Sequence, residues 1–131
     1  MNQNIMTEIG AGELIDKITI LEIKSERITD PDKLKNVRHE LAVLSATRDA
    51  NLLDIDGLAE LALQLKTINK ALWEIEDDIR ACEAQRDFGA RFIELARSVY
   101  ITNDKRAAVK KQINLLTGAQ IIEEKSYTEF E

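Results

Sequence analysis

Leu58, Leu61, Leu65, Ile68, Leu72, Ile75, Ile79 and Cys82 follow one another at alternating steps of three and four, and every one is apolar. That spacing gathers the side chains into one stripe along a helix, and a second helix must cover the stripe along most of its length. A covering helix follows directly. Phe88, Phe92, Leu95, Val99, Thr102, Arg106, Val109, Ile113 and Leu116 keep the same steps, with the seam turning polar at Thr102 and Arg106. The pattern predicts a long antiparallel helical hairpin, coiled-coil-like, with one polar interruption in its core.

Two shorter helices are expected ahead of it, packed on the hairpin. The first, 13–28, follows the Gly10-Ala11-Gly12 turn and carries Leu14, Ile18, Leu21 and Ile28 on its main face. Ile15, Ile20 and Ile23 widen that face beyond what one neighbour covers, which points to several neighbours or a second copy of the chain. The second, 31–50, opens at Asp30-Pro31. Aspartate can accept from the free amides of a first turn, and proline at the first helical position sacrifices no hydrogen bond. The hairpin helices are expected at 57–86 and 88–117, with Asp54 or Asp56 capping one and Asp87 the other. Gly118 suits a left-handed helix end. An acidic tail, 119–131, has no assigned structure. The whole is a single all-α domain.

Composition removes several function classes. The chain has 131 residues, 44% hydrophobic and 32% charged, enough for one modest core. A net charge of −6 argues against nucleic acid, because the nearest basic stripe, Lys105, Arg106, Lys110 and Lys111, is flanked by acids. The single cysteine allows no internal disulfide and sits on the apolar seam, consistent with the cytoplasm. No apolar run is long enough for a bilayer, and the first twelve residues lack signal-peptide character. His39, the only histidine, falls opposite the apolar seam of its helix, so histidine-based triads and zinc sites have little to draw on.

The heptad register predicts one polar cluster. Asn69, Trp73 and Glu76 share a flank of the third helix, and Tyr100 and Asn103 share the matching flank of the fourth. Arg106 emerges from the seam beside them and needs a carboxylate or an anion, with Glu76 and Asp16 as the protein candidates. Structurally, such a cluster fixes register and packs the shorter helices. Functionally, it would be a shallow pocket for an anion or a sugar nucleotide, with Arg106 on phosphate, the asparagines on hydroxyls and Trp73 as a stacking wall.

Paired acids offer a different chemistry. Glu13 with Asp16, and Glu74 with Asp77, stand at one-turn spacing, which can hold Mg for nucleotide hydrolysis in all-α proteins. These acids lie off the apolar faces, and 24 acidic residues produce such spacings by chance, so solvated side chains are expected.

The stretches Gly12-Glu13-Leu14-Ile15-Asp16-Lys17, Ala71-Leu72-Trp73-Glu74-Ile75-Glu76-Asp77-Asp78-Ile79-Arg80, Phe92 to Tyr100 with Asn103-Asp104, and Glu123-Glu124-Lys125-Ser126-Tyr127 resemble an uncharacterised bacterial all-helical domain family of unknown function. The resemblance spans nearly the whole chain. It implies a setting near surface-polysaccharide biosynthesis and supplies no catalytic residues. The expectation is a non-enzymatic binding or assembly module without a cofactor, forming a homo-oligomer, a dimer by preference, with no nucleic-acid or membrane partner. The alternative is a Mg-dependent nucleotide phosphohydrolase.

Overall fold

The structure, a computed structural model, describes residues 3–130. Among these the chain forms four helices: α1 (Ala11–Arg27), α2 (Pro31–Asn51), α3 (Leu58–Ala84) and α4 (Ala90–Thr117). There are no strands among the described residues. α3 packs on α4, α1 packs on α2, α3 and α4, and α2 packs on α1 alone.

Local chemistry sets the helix boundaries. Asp30 accepts from the amides of Asp32 at 2.9 Å and Lys33 at 3.3 Å, with Pro31 at the first helical position. Gly118 ends α4 at φ 70°, the left-handed conformation that glycine adopts without strain. Two expected caps are corrected. The N-cap of α3 is Gly57, at φ 87°, rather than Asp54 or Asp56. The N-cap of α4 is Gly89, whose amide donates to Asp87 at 3.1 Å, so Asp87 braces the turn one step outside the helix.

α1 begins two residues earlier than its sequence suggests, at Ala11. Gly10 has no side chain to cap the first turn; instead the Gly12 amide donates to Asn114 Oδ1 on α4 at 2.8 Å. The cap comes from another helix, and sequence-local rules do not see it. Both glycines are required by proximity. A Cβ on Gly12 would collide with the Lys110 carbonyl oxygen, and one on Gly10 would stand 2.6 Å from the Ile121 carbonyl oxygen.

The core sits where α1 meets α3 and α4. Ile15, Leu58, Leu65, Val109 and Ile113 form one buried cluster, with Leu65 and Ile113 fully buried. Leu52 and Ile55, from the connection between α2 and α3, pack against it. Of the residues that widen the apolar face of α1, Ile15 and Ile23 are buried within the single copy and Ile20 is half-buried. Cys82 is buried and free, and His39 is exposed. Phe88 lies in the turn before α4, half exposed and edge-on to Phe92 at 5.2 Å between ring centroids. No helix among the described residues is long and apolar enough to cross a membrane.

Candidate functional site

The polar interruption in the α4 seam meets a carboxylate. Asp16, 1% exposed, lies inside the protein where α1, α3 and α4 converge. Arg106 Nε donates to Asp16 Oδ1 at 2.9 Å, and Nη2 donates to Oδ2, a two-pronged contact of the kind guanidinium makes well. Asn69 Nδ2 donates to Asp16 Oδ1 and to Thr19 Oγ1, each at 2.9 Å. The Thr19 hydroxyl donates to the Asp16 carbonyl oxygen at 2.8 Å. Lys110 Nζ stands 3.7 Å from Asp16 Oδ2 and closer to two other acids, Glu13 at 2.8 Å and Glu123 at 3.1 Å.

Periodicity explains the convergence. Gly12, Asp16 and Thr19 occupy successive turns on one face of α1, a small and polar strip within its otherwise apolar buried surface. Arg106, Lys110 and Asn114 do the same on α4. Laid together, the strips pair Asn114 with the Gly12 amide, Lys110 with Glu13, and Arg106 with Asp16. No described buried side-chain nitrogen or oxygen lacks a hydrogen-bond partner.

Charge follows geometry. Burial pushes the Asp16 carboxyl up, but the hydrogen bonds from Arg106 and Asn69 and the charges of Arg106 and Lys110 together hold it below its ordinary value. Arg106 is held further up by its bond to Asp16. Burial works against the Lys110 ammonium, and the bonds to Glu13 and Glu123 more than compensate, raising its pKa. The Glu123 carboxyl is lowered by Lys110 and Lys125. At neutral pH, Asp16 is therefore an ionised group with both oxygens engaged inside the protein.

Of the residues that the sequence singles out, the structure joins Asn69 and Arg106 through Asp16. Glu76 is not Arg106's partner: it is exposed and pairs with Arg80 on its own helix at 3.2 Å. Tyr100 turns to the tail, edge-on to Phe130 at 5.6 Å. Trp73 and Asn103 are half-buried. The expectation of solvated acids is corrected for Asp16, which is the most deeply buried charge among the described residues, and for Glu13, which is half-buried on Lys110. Glu74 pairs with Arg27 at 2.6 Å and Asp77 is exposed. Among the described residues no group of three or more metal-ligating side chains forms, so these four acids do not share one site. Thr19 and Glu123 belong to the arrangement and lie on segments that the α3–α4 heptad pattern does not cover, whereas Lys110 and Asn114 continue the Tyr100 and Asn103 flank of α4 and can be read from it.

Two clefts open beside this node. One, of about 380 Å³, lies between the start of α1, α4 and the tail, with Ile9, Lys110, Lys111, Ile121 and Glu123 among its walls. The other, of about 370 Å³, is framed by Ile15 and Ile18 of α1, the end of α2 and the start of α3.

Fold and site together define an all-helical domain whose helices are cross-tied by a buried ion pair. The chain belongs to DUF6165, a family of unknown function, which matches residues 5–130. No curated protein and no solved structure matches it.

Proposed function

We propose that this protein is a non-catalytic binding or assembly module, built on an antiparallel α3–α4 hairpin that α1 crosses and locks. The observation that carries the reading is the Asp16 node. Arg106 and Asn69 occupy one carboxylate oxygen, and Arg106 and Lys110 face the other. Three hydrogen bonds fill most of the acceptor capacity of this acid and the Lys110 ammonium stands 3.7 Å from its less engaged oxygen, which disfavours its use as a metal ligand or a general base. Its role is to fix how three helices meet, as buried polar groups do when they set register. The separation of Glu74 and Asp77 from this node weighs in the same direction.

The reading includes a setting near surface-polysaccharide biosynthesis, supported by the sequence resemblance alone, so sugar nucleotides belong among the compounds tested. The decisive experiment incubates the protein with nucleoside triphosphates and sugar nucleotides at millimolar magnesium and follows phosphate release and thermal stability. No turnover and no magnesium-specific stabilisation are expected, since a specific metal site would raise the melting temperature by mass action. Magnesium-dependent turnover that disappears in Asp16→Asn would overturn the reading.

A further inference from the structure

Within an acidic protein of net charge −6, α4 carries Lys105, Arg106, Lys110 and Lys111 within two turns and no acid among them. Two of these, Lys110 and Lys111, line the cleft of about 380 Å³. The wall opposite them is the tail, which has neither helix nor strand from Ala119 to Phe130 yet is tied down at specific points. Glu123 reaches Lys110 at 3.1 Å, Glu124 reaches Lys111 at 3.8 Å, and Phe130 lies edge-on to Tyr100. Two neighbouring carboxylates thus sit on two neighbouring ammonium groups. Between tail and helix the packing is open enough to leave the cleft, with Ile9, Ile121 and Ile122 as apolar walls.

We propose that Lys110 and Lys111 form a binding site for a phosphate-bearing anion, and that Glu123 and Glu124 of the tail mask it by standing in for that anion. The proposal rests on the non-catalytic binding reading and names its ligand chemistry. Lys111 is half exposed and has Glu124 as its acid, so removing the tail's charge frees it. Lys110 would keep Glu13 and Asp16 from α1, which orient it without cancelling the gain at Lys111. A diphosphate presents two anionic centres in the way the adjacent glutamates do, and apolar walls strengthen charge pairing relative to open water. Displacement is feasible because both glutamates are at least half exposed, at 50% and 76%, on a segment without regular structure, and the Lys111–Glu124 pair in particular is a surface pair screened by salt.

The test is isothermal titration calorimetry with inorganic pyrophosphate at low ionic strength, on the full chain. Three proteins are compared: the parent, Glu123→Gln/Glu124→Gln, and Lys110→Gln/Lys111→Gln. The variant with the two tail glutamates neutralised is expected to bind about tenfold more tightly than the parent, the combined effect of two surface ion pairs. Its affinity should fall as salt is raised, and the lysine variant should lose binding. Circular dichroism confirms folding, and if the lysine variant does not fold, Lys111→Gln alone takes its place. Equal affinity in the parent and the tail variant, no binding in the tail variant, or binding that survives loss of the lysines would each overturn the proposal. Pyrophosphate recovered intact after titration leaves the non-catalytic reading standing whatever the affinities, whereas its conversion to orthophosphate would count against that reading instead.

Discussion

Replacing Arg106 with Met, a side chain of similar reach without charge, leaves Asp16 buried with Asn69 on one oxygen and Lys110 at 3.7 Å from the other. Removing one partner of a buried pair costs about 3–5 kcal/mol, because the remaining charge is stranded. The persistence of Asn69 and Lys110, and the 30% exposure of the Arg106 side chain, put the loss at the lower end, about 3 kcal/mol. For a domain of this size that corresponds to a melting temperature lower by roughly 10–15 °C. Acid provides the sharper check. Asp16 has a folded-state pKa below its unfolded value, so its contribution is present above the ordinary carboxylate range and is lost as pH falls through the folded value. In Arg106→Met that advantage is already gone, and a stranded carboxylate protonates readily. The gap between parent and variant should therefore close on acidification below about pH 4. Asp16→Asn combined with Arg106→Met should recover much of the stability, since no charge is then stranded. Urea melts followed by far-UV circular dichroism, at neutral and acid pH, measure all of this. A loss under about 1 kcal/mol at neutral pH, or a gap that does not narrow in acid, would refute the argument that the pair is buried and mutually dependent.

The close approach of α1 to α4 makes Gly12→Ala destabilising by about 1–3 kcal/mol, because the new methyl meets the Lys110 carbonyl and the helices must separate; a thermal melt unchanged within error would show that they do not touch. Asp30→Ala should cost about 1 kcal/mol through the two amides it leaves uncapped, and Asp30→Gly only a few tenths, a difference readable in urea melts.

Much of the fold was open to inspection in the sequence. The three-four spacing of Leu58 to Cys82 announces a long helix, and Asp30-Pro31 and Gly118 punctuate the chain by rules that act within a single turn. Asp16 was harder. The sequence offers it beside Glu76 as a partner for Arg106. Its helix is apolar on several faces, however, so the heptad pattern does not say which face meets α4, and the same carboxylate also reads as one of a solvated pair with Glu13. The signal lay in comparing helices: Gly12, Asp16 and Thr19 on one, Arg106, Lys110 and Asn114 on the other, matched in size and charge. Glu76 failed as a partner for the opposite reason. The heptad register puts it on one flank of α3 with Asn69, but Arg80 lies one turn away on the same helix and requires no tertiary contact. The tail contacts were beyond reach, since no periodicity governs a segment without regular structure.

α2 has a different standing from the other helices. It rests on α1 alone, whereas α1 is bonded to α3 and α4 through Asp16, Gly12 and Glu13. Among the described residues, three helices are thus tied together by polar bonds while the fourth is docked on one of them. No described bond of the central node runs to α2. What holds α2 is its apolar contact with α1 and the packing of Leu52 and Ile55 behind it, a different kind of attachment from the polar ties of the other three helices.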